Sequence, residues 1–592
     1  MMADAQSNEA ERVQDGEWPL RPALLAVIGA AVALAIQQLL DIGAGSPPVD
    51  RLALAIALAT TAIGFGFVAE RVRLGWAVMF SIVIGAVAGL IVYWQGVPGG
   101  SPDFLNWRLA SLFLAIAIAA PLFQTVRDEG RLALPYAALH SHAWTNIVLW
   151  FAAWAFVAIV WVMSWLLAEL FKLIKIDFLE KMLGTDWFVA LLLGSAFGAA
   201  IGLFRERDRI LRLLQTVVTS VLSVLAPVLG AGLLLFLIAL PFAGLDALWE
   251  ATRATTPILL TCVVGSLILA NAVIGTGDGD TAVNPVLRYG AMALAFATLP
   301  LAAIAAVATG LRIGQYGFTP DRLWALTFVI FATAFGLAYA LAVRRGPTKW
   351  AVPARAANVR LAIAIAAVAL FLATPILSFN EISTADQVAR LTSGKVSADK
   401  FDWRALAFDF GAPGQAALKR LAGSSDPKIA AKAVAVAKAG TRYDVEQIVQ
   451  RDRALAGIGD RLRVLPTPVA VPPGLLKILP GWDACGPDDT ARCTLLYRAG
   501  ATEAWVLQAS CFETMPEATG TPATVSAPNC EVGRFVETGG AWEPLNRNRP
   551  RQMPLAERQR FAAAFARGQI DIRPVQRRQL FVGGVPVGEV FE

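Results

Sequence analysis

Eleven stretches of this chain are each long and apolar enough to cross a lipid bilayer, and this limits the fold before any single residue is weighed. They run over residues 22–40, 52–69, 74–94, 109–126, 144–171, 187–204, 217–240, 257–274, 286–307, 323–343 and 361–377. About 20 apolar residues span the hydrocarbon core as a helix. Lipid offers no partner for backbone N–H and C=O groups, so each crossing must be helical. The expected fold is an all-α polytopic membrane bundle of about eleven transmembrane helices, followed by a small α+β extracytoplasmic domain. Its parts are an N-terminal cytoplasmic tail (1–21), the bundle (22–377), a juxtamembrane helical region (378–464) and a disulfide-bonded domain (465–592). The first span reads as retained rather than cleaved, because residues 1–21 hold five acids and two arginines, unlike the short positive region of a signal peptide.

Orientation follows from the placement of Lys and Arg. With a cytoplasmic N-terminus, sixteen basic residues fall in inner segments and eight in outer ones. "RERDRILR" (205–212) and "RRGPTKWAVPARAANVR" (344–360) dominate the inner count. "FKLIKIDFLEKML" (171–183) is the outlier, and its helical periodicity suits a segment lying flat in the interface. An odd number of crossings that begins inside ends outside. The chain therefore reads as a bacterial inner-membrane protein with a periplasmic tail. Charge excludes nucleic acid as a partner: residues 1–379 carry 24 basic and 22 acidic residues, and residues 380–592 carry 27 and 23. Neither part has the clustered excess that nucleic-acid binding needs. The admissible partners are membrane lipids, other envelope proteins and a second copy of the chain.

Four of the five cysteines, Cys485, Cys493, Cys511 and Cys530, lie in the tail. Their gaps do not match the paired C-x₂₋₄-C spacing of a zinc site. Disulfides persist in oxidising compartments, so these residues are expected to staple a periplasmic domain, with three pairings open. Strands are expected in "TLLYRAG", "EAWVLQASCF", "EVGRFVETGG", "QIDIRPV", "QLFVGG" and "VPVGEVF", and a helix in "LAERQRFAAAFARG". "LPTPVAVPPG" (465–474) reads as a linker. Upstream, "STADQVARL" opens like a helix capped by Ser383 or Thr384, and Asp426 with Pro427 opens another.

The blocks "HAWTNIVLWFAAWAFVAIVWVMSWLLAELFKLIKIDFLEKML", "YGFTPDRLWAL", "NEISTADQVARLTSGKVSADKFDWRAL" and "FDFGAPGQAALKRL" together resemble a bacterial family of multi-span membrane proteins. That family is catalogued as a domain of unknown function, four-one-five-three. The resemblance covers roughly residues 20–440. It implies an inner-membrane protein and brings no catalytic residues to carry over.

Few groups could carry chemistry. Trp150, Trp154, Trp161 and Trp165 step by 4, 7 and 4 residues along the fifth span, within roughly a 60° arc at 100° per residue. Glu169 extends the stripe by one turn. The stripe reads either as an aromatic wall for a lipid or flexible chain, or as helix packing with interface anchoring. Packing is the simpler reading. In "QYGFTPDRLW", Thr319, Pro320 and Asp321 form a helix start, while Tyr316 and Arg322 are left over as candidate ligand contacts. His140 and His142 are the only histidines. On a helix, i and i+2 point to different sides, so they are weak candidates for a metal. Asp278 and Asp280 sit in a Gly-rich turn that departs from an EF-hand at Ala282. GxxxG spacing in "GAVAG" and "GSAFGAAIG" argues for close helix contacts, within one bundle or between two copies. No P-loop, H-E-x-x-H or G-x-S-x-G motif is present, and no cofactor is implied. The preferred reading is a non-catalytic envelope scaffold, sensor or assembly factor. The alternative is a transporter or lipid-handling protein with a Trp-lined groove, and the third is a membrane-embedded enzyme.

Overall fold

The computed structural model describes residues 18–41, 47–95, 102–244, 254–277, 282, 284–346, 349–456, 458–479, 493–508, 532–548, 564, 567–569, 576, 578–582 and 585–591. The chain divides into two compact units. The first holds the residues up to Val396 together with Ala405–Leu421, and the second holds Ser397–Arg404 and the residues from Ala422 onward.

The first unit opens with α1 (Arg21–Leu40), α2 (Val49–Val68), α3 (Leu74–Gln95), α4 (Pro102–Glu129), α5 (Tyr136–Leu173), the short α6 (Phe178–Leu183) and α7 (Asp186–Glu206). It continues with α8 (Asp208–Ala243), α9 (Thr255–Ile274), α10 (Pro285–Tyr316), α11 (Pro320–Val343) and α12 (Ala351–Ala373). Among the described residues, eleven helices are long and apolar enough to cross a membrane, and each coincides with one of the stretches read from sequence. Two of them start on a side-chain cap. Asn284 Oδ1 accepts from the Val286 N–H at 2.8 Å to start α10, and Thr319 Oγ1 accepts from the Arg322 N–H at 3.4 Å to start α11. Several helices outrun the bilayer. The 38 residues of α5 measure roughly 57 Å at about 1.5 Å per residue.

Two apolar cores organise the bundle. One joins α8, α9, α10, α11 and the start of α12 around Leu294, Leu301, Val263, Tyr339 and Trp350. The other joins α1, α2, α3, α4, α5 and α7 around Val68, Leu149, Ala153, Ala200 and Ile201. Helix α10 is the most enclosed, with small residues such as Gly290, Ala291, Ala295, Ala302 and Ala305 buried along it. The "FKLIKIDFLEKML" segment forms the end of α5 and the six-residue α6, none of whose residues is buried.

Three more elements belong to the first unit: α13 (Phe379–Thr392), a π-helical turn (Ala405–Asp409) and α14 (Gly411–Leu421). Helix α13 starts earlier than the sequence suggested. Its cap is Ser378, whose Oγ accepts from the Glu381 N–H at 3.3 Å, and Ser383 and Thr384 lie inside the helix. The Ser-x-x-Glu pattern is a capping-box signature, and Phe379 is buried against Trp324, which draws the first turn into the core.

The second unit contains α15 (Pro427–Ala437), α16 (Arg442–Ala456), α17 (Ile458–Arg461), β1 (Leu462–Leu465), α18 (Pro473–Ile478), β2 (Cys493–Leu496), β3 (Glu503–Gln508), β4 (Val532–Thr538), β5 (Ala541–Asn548), β6 (Arg578–Val582) and β7 (Val585–Phe591). Five strands form one sheet in the order β1-β2-β3-β4-β5, and β6-β7 form a separate hairpin. Strand β1 pairs in parallel with β2, and the other neighbours are antiparallel. Leu475, Leu479, Cys493, Leu495, Val506, Phe535 and Trp542 fill its core. Cys485, Cys511, Cys530, Asp278 and Asp280, and nearly all of "LAERQRFAAAFARG", lie outside the described residues.

Candidate functional site

The blocks "YGFTPDRLW", "NEISTADQVARL" and "FDFGAPGQAALKRL" meet in space. Helix α10 ends at Tyr316, and Gly317 turns the chain with φ +78° so that Thr319 can open α11. That turn strands backbone groups no helix can use, and α13 supplies their partners. Asp386 Oδ2 accepts from the Phe318 N–H at 2.7 Å. Gln387 Nε2 donates to the carbonyls of Tyr316 at 2.8 Å and Phe318 at 3.0 Å. Arg390 Nη2 donates to the Gln315 carbonyl at 2.5 Å. A Cβ at Gly317 would collide with the Asp386 carboxylate and the Arg390 stem, so glycine is required there both for its backbone angle and for the contact. Underneath, Trp324 stacks on Trp107 of α4 at 5.6 Å and meets the edge of Phe379 at 5.0 Å.

This cap explains much of what the motif reading left over. Arg322 Nη1 donates to the Gly317 carbonyl at 2.8 Å, and its guanidinium lies 5.4 Å from the centre of the Tyr316 ring. The Tyr316 ring is itself exposed. Along the same helix, Asn380, Ser383 and Thr384 are buried, and their side-chain oxygens have no hydrogen-bond partner among the described residues. Gly411, with φ +61°, lies over the Asn380 amide.

The Trp stripe divides. Trp150 enters the second core between Phe67, Phe113 and Phe197, with ring centroids 5.7 to 6.1 Å apart. Trp154 packs on Phe197 at 5.3 Å but is half exposed. Trp161, Trp165 and Glu169 lie on the exposed surface of α5. The four indoles therefore do not line one enclosed groove. His140 and His142 also part company. His140 Nε2 accepts from Trp144 Nε1 at 3.0 Å and its ring stacks on Tyr136, whereas His142 Nε2 lies 3.0 Å from Asp128 Oδ2. Among the described residues no group of three or more His, Cys, Asp and Glu could hold a metal.

A second constellation went unread as a unit. Glu70, just past the end of α2, pairs with Arg21 of α1 at 2.5 Å and with Arg205 of α7. The last carbonyls of α2 are held by side chains from elsewhere: Phe67 by Arg205 and by Gln124 at 2.9 Å, and Val68 by Arg127. Guanidinium groups at a helix C-terminus satisfy its orphan carbonyls and complement its dipole. Burial pushes the Glu70 carboxyl upward, but Arg205, then Arg21 and Arg127, outweigh this and hold it below the usual carboxylate range. The three arginines come from three distant stretches of the sequence. The available signal was an acid beside arginines in "AERVR", "TVRDEG" and "LFRER".

No curated protein and no solved structure matches the chain. A family model does match, over residues 52–421. Its last residue is the last of α14, where the first unit ends, so the family's extent takes in the cap as well as the spans from α2 onward. This multi-pass membrane protein belongs to the family described as Domain of unknown function (DUF4153).

Proposed function

We propose that the protein is a non-catalytic scaffold or assembly factor of the bacterial inner membrane, with a cytoplasmic N-terminus and a periplasmic second unit. One observation carries this reading: the most distinctive sequence blocks are spent on fastening an extra helix to one end of the bundle. Asp386, Gln387 and Arg390 address backbone groups of the 315–318 turn, and the cap thereby presents Tyr316 as an exposed aromatic edge. The twofold excess of basic residues in the inner segments supports the orientation. A disulfide-stapled tail is supported by Cys493, which is buried at the head of β2 and, unlike Cys262, is not a free thiol.

The test is site-specific photo-crosslinking in intact cells from Tyr316, from Tyr443 of the second unit, and from Phe151 on the exposed face of α5. Discrete protein adducts from Tyr316 or Tyr443, lost in the Asp386→Ala/Arg390→Ala double variant, support an assembly role. If adducts at all three positions are lipid only, the scaffold reading fails. The lipid-handling reading is then preferred, and its motivation is the exposed run of Trp161, Trp165 and Glu169 on α5.

A further inference from the structure

A cleft of about 510 Å³ opens at the end of the bundle where α5 begins, α9 finishes and α12 begins. That volume lies within the roughly 300–1,000 Å³ of small-molecule sites and far exceeds the roughly 30 Å³ share of one water. One wall is a face of α12, formed by Val352, Arg355, Ala356, Val359 and Arg360. These residues fall at i, i+3, i+4, i+7 and i+8, a single helical stripe. The facing wall is Leu134 and Tyr136. The lining is thus mostly apolar and carries two guanidinium groups among its few polar side chains.

The walls are fixed rather than adaptable. Arg355 Nη2 donates to the Ile274 carbonyl at 2.5 Å and the Gly277 carbonyl at 2.7 Å, which anchors its guanidinium at the C-terminus of α9. Behind the cleft, Tyr136 Oη donates to Asn271 Oδ1 at 3.3 Å, and Asn358 Nδ2 donates to the same oxygen at 2.6 Å. Asn271 Nδ2 donates to Tyr339 Oη at 2.9 Å, and Tyr339 Oη donates to Asn358 Oδ1 at 2.9 Å. This ring ties α5, α9, α11 and α12 together. Arg360, by contrast, is exposed at the rim.

We propose that this cleft holds the headgroup of an anionic phospholipid. The chemistry selects an amphiphile: two cations for the phosphate, and an apolar face of α12 for the start of the acyl chains. Basic pockets between transmembrane helices on the cytoplasmic side serve acidic lipids in this way. The charge bias assigns the segments that form the cleft to that side. A free phosphate would make no use of Leu134, Val352 and Val359. The site is separate from the cap and does not depend on the scaffold reading.

The experiment is native mass spectrometry of the full-length protein, extracted in mild detergent and incubated with phosphatidylglycerol and phosphatidylcholine in equal amounts. The wild-type chain is expected to retain phosphatidylglycerol in preference. Arg360→Glu should reduce that retention by about fivefold or more, the effect of one basic residue near an anionic surface. Ala356→Trp should do the same by filling the cleft while leaving both arginines in place. Thermal melting of each variant checks that the bundle is intact, and an excess of inorganic phosphate should not displace the lipid. Equal retention of the two lipids, undiminished binding in a folded Ala356→Trp variant, or displacement by inorganic phosphate would each overturn the proposal.

Discussion

Glu70 shows how one side chain can couple distant parts of the bundle. Its pKa lies lower in the folded chain than in the unfolded one, because Arg205, Arg21 and Arg127 together outweigh the effect of burial. As pH falls, the unfolded chain therefore takes up this proton first. The stabilisation is fully present above the unfolded value, about 4.3 for a glutamate, and is lost as pH falls through the lower folded value. Removing one member of a buried pair costs about 3–5 kcal/mol. Glu70 keeps 32% of its side-chain surface, so solvent screening discounts the expected loss in Glu70→Gln to about 1–2 kcal/mol. Thermal melts in detergent should show a lower midpoint for Glu70→Gln at neutral pH. The wild-type midpoint should approach the variant's as the buffer is taken below the glutamate range, and a constant gap between the two at acid pH would refute the assignment. Little of this could be read from the chain. Glu70 looks like an edge residue, and only folding shows that arginines 49 and 135 positions away are its partners. Tyr316 and Arg322 stood out as unexplained by helix capping, and they prove to flank the turn that α13 grips.

At the scale of elements, the small-residue spacings are used within one chain. Gly194, Gly198 and Gly202 of α7 lie against Gly29, Leu25 and Pro22 of α1, while Gly85 and Gly89 of α3 lie against α2 at Ala57, Thr61 and Ala53. A Cβ at Gly198 would strike the backbone of Leu25, which can yield only by moving the helix. Gly198→Leu is therefore expected to cost at least the roughly 1–3 kcal/mol of overpacking, whereas Gly232→Ala, which meets nothing within 4 Å, should stay near neutral apart from its helix preference. Melting midpoints of the two variants decide the matter, and similar shifts would mean that α1 and α7 are not closely packed. The cap gives a second contrast. Gly317→Ala adds backbone strain of about 1–3 kcal/mol and displaces Asp386, so amide exchange across residues 379–392 should rise while exchange in α10 and α11 below the turn stays slow. The spans were legible because twenty apolar residues admit one solution in lipid. Their ends were less so: α5 starts at Tyr136, directly after the extended Pro135, and its first two turns, "YAALHSHA", precede the apolar run. Strand β5 was missed because "AWEPLNRN" holds Pro544 and two asparagines, which weaken any strand signal. As the last strand of its sheet, β5 can tolerate the proline. Strand β1 has only four residues and runs into a stretch read as a linker.

For the whole molecule, the decisive quantity is the parity of the crossings. In the topology proposed above, eleven crossings would put the start of α1 and the end of α12 on opposite faces. The same proposal would gather the basic inter-span segments, the Glu70 cluster and the α5–α9–α12 cleft on one side, and leave the cap on the other. Cys262 lies within α9 and is a free thiol, and labelling of the tail cysteines tests the proposed sidedness. In intact cells, a thiol reagent that cannot cross membranes should leave the tail unmodified until an equally impermeant reductant is added, and should label it afterwards. A single cysteine introduced as Arg345→Cys in a chain lacking the native cysteines should react only after permeabilisation. Labelling of the tail that requires permeabilisation, with every thiol already reduced, would reverse the assignment of both faces. The same chemistry bears on stability. Loss of a disulfide such as the one proposed for the tail typically costs about 2–4 kcal/mol, and Cys493 begins a strand whose neighbours on both sides depend on its register. Cys493→Ser should therefore expose the second unit to proteolysis while the bundle's own melting transition is unchanged. A shift of both transitions together would mean that the two units unfold as one, and the tail would then have to be treated as part of the membrane domain's cooperative structure.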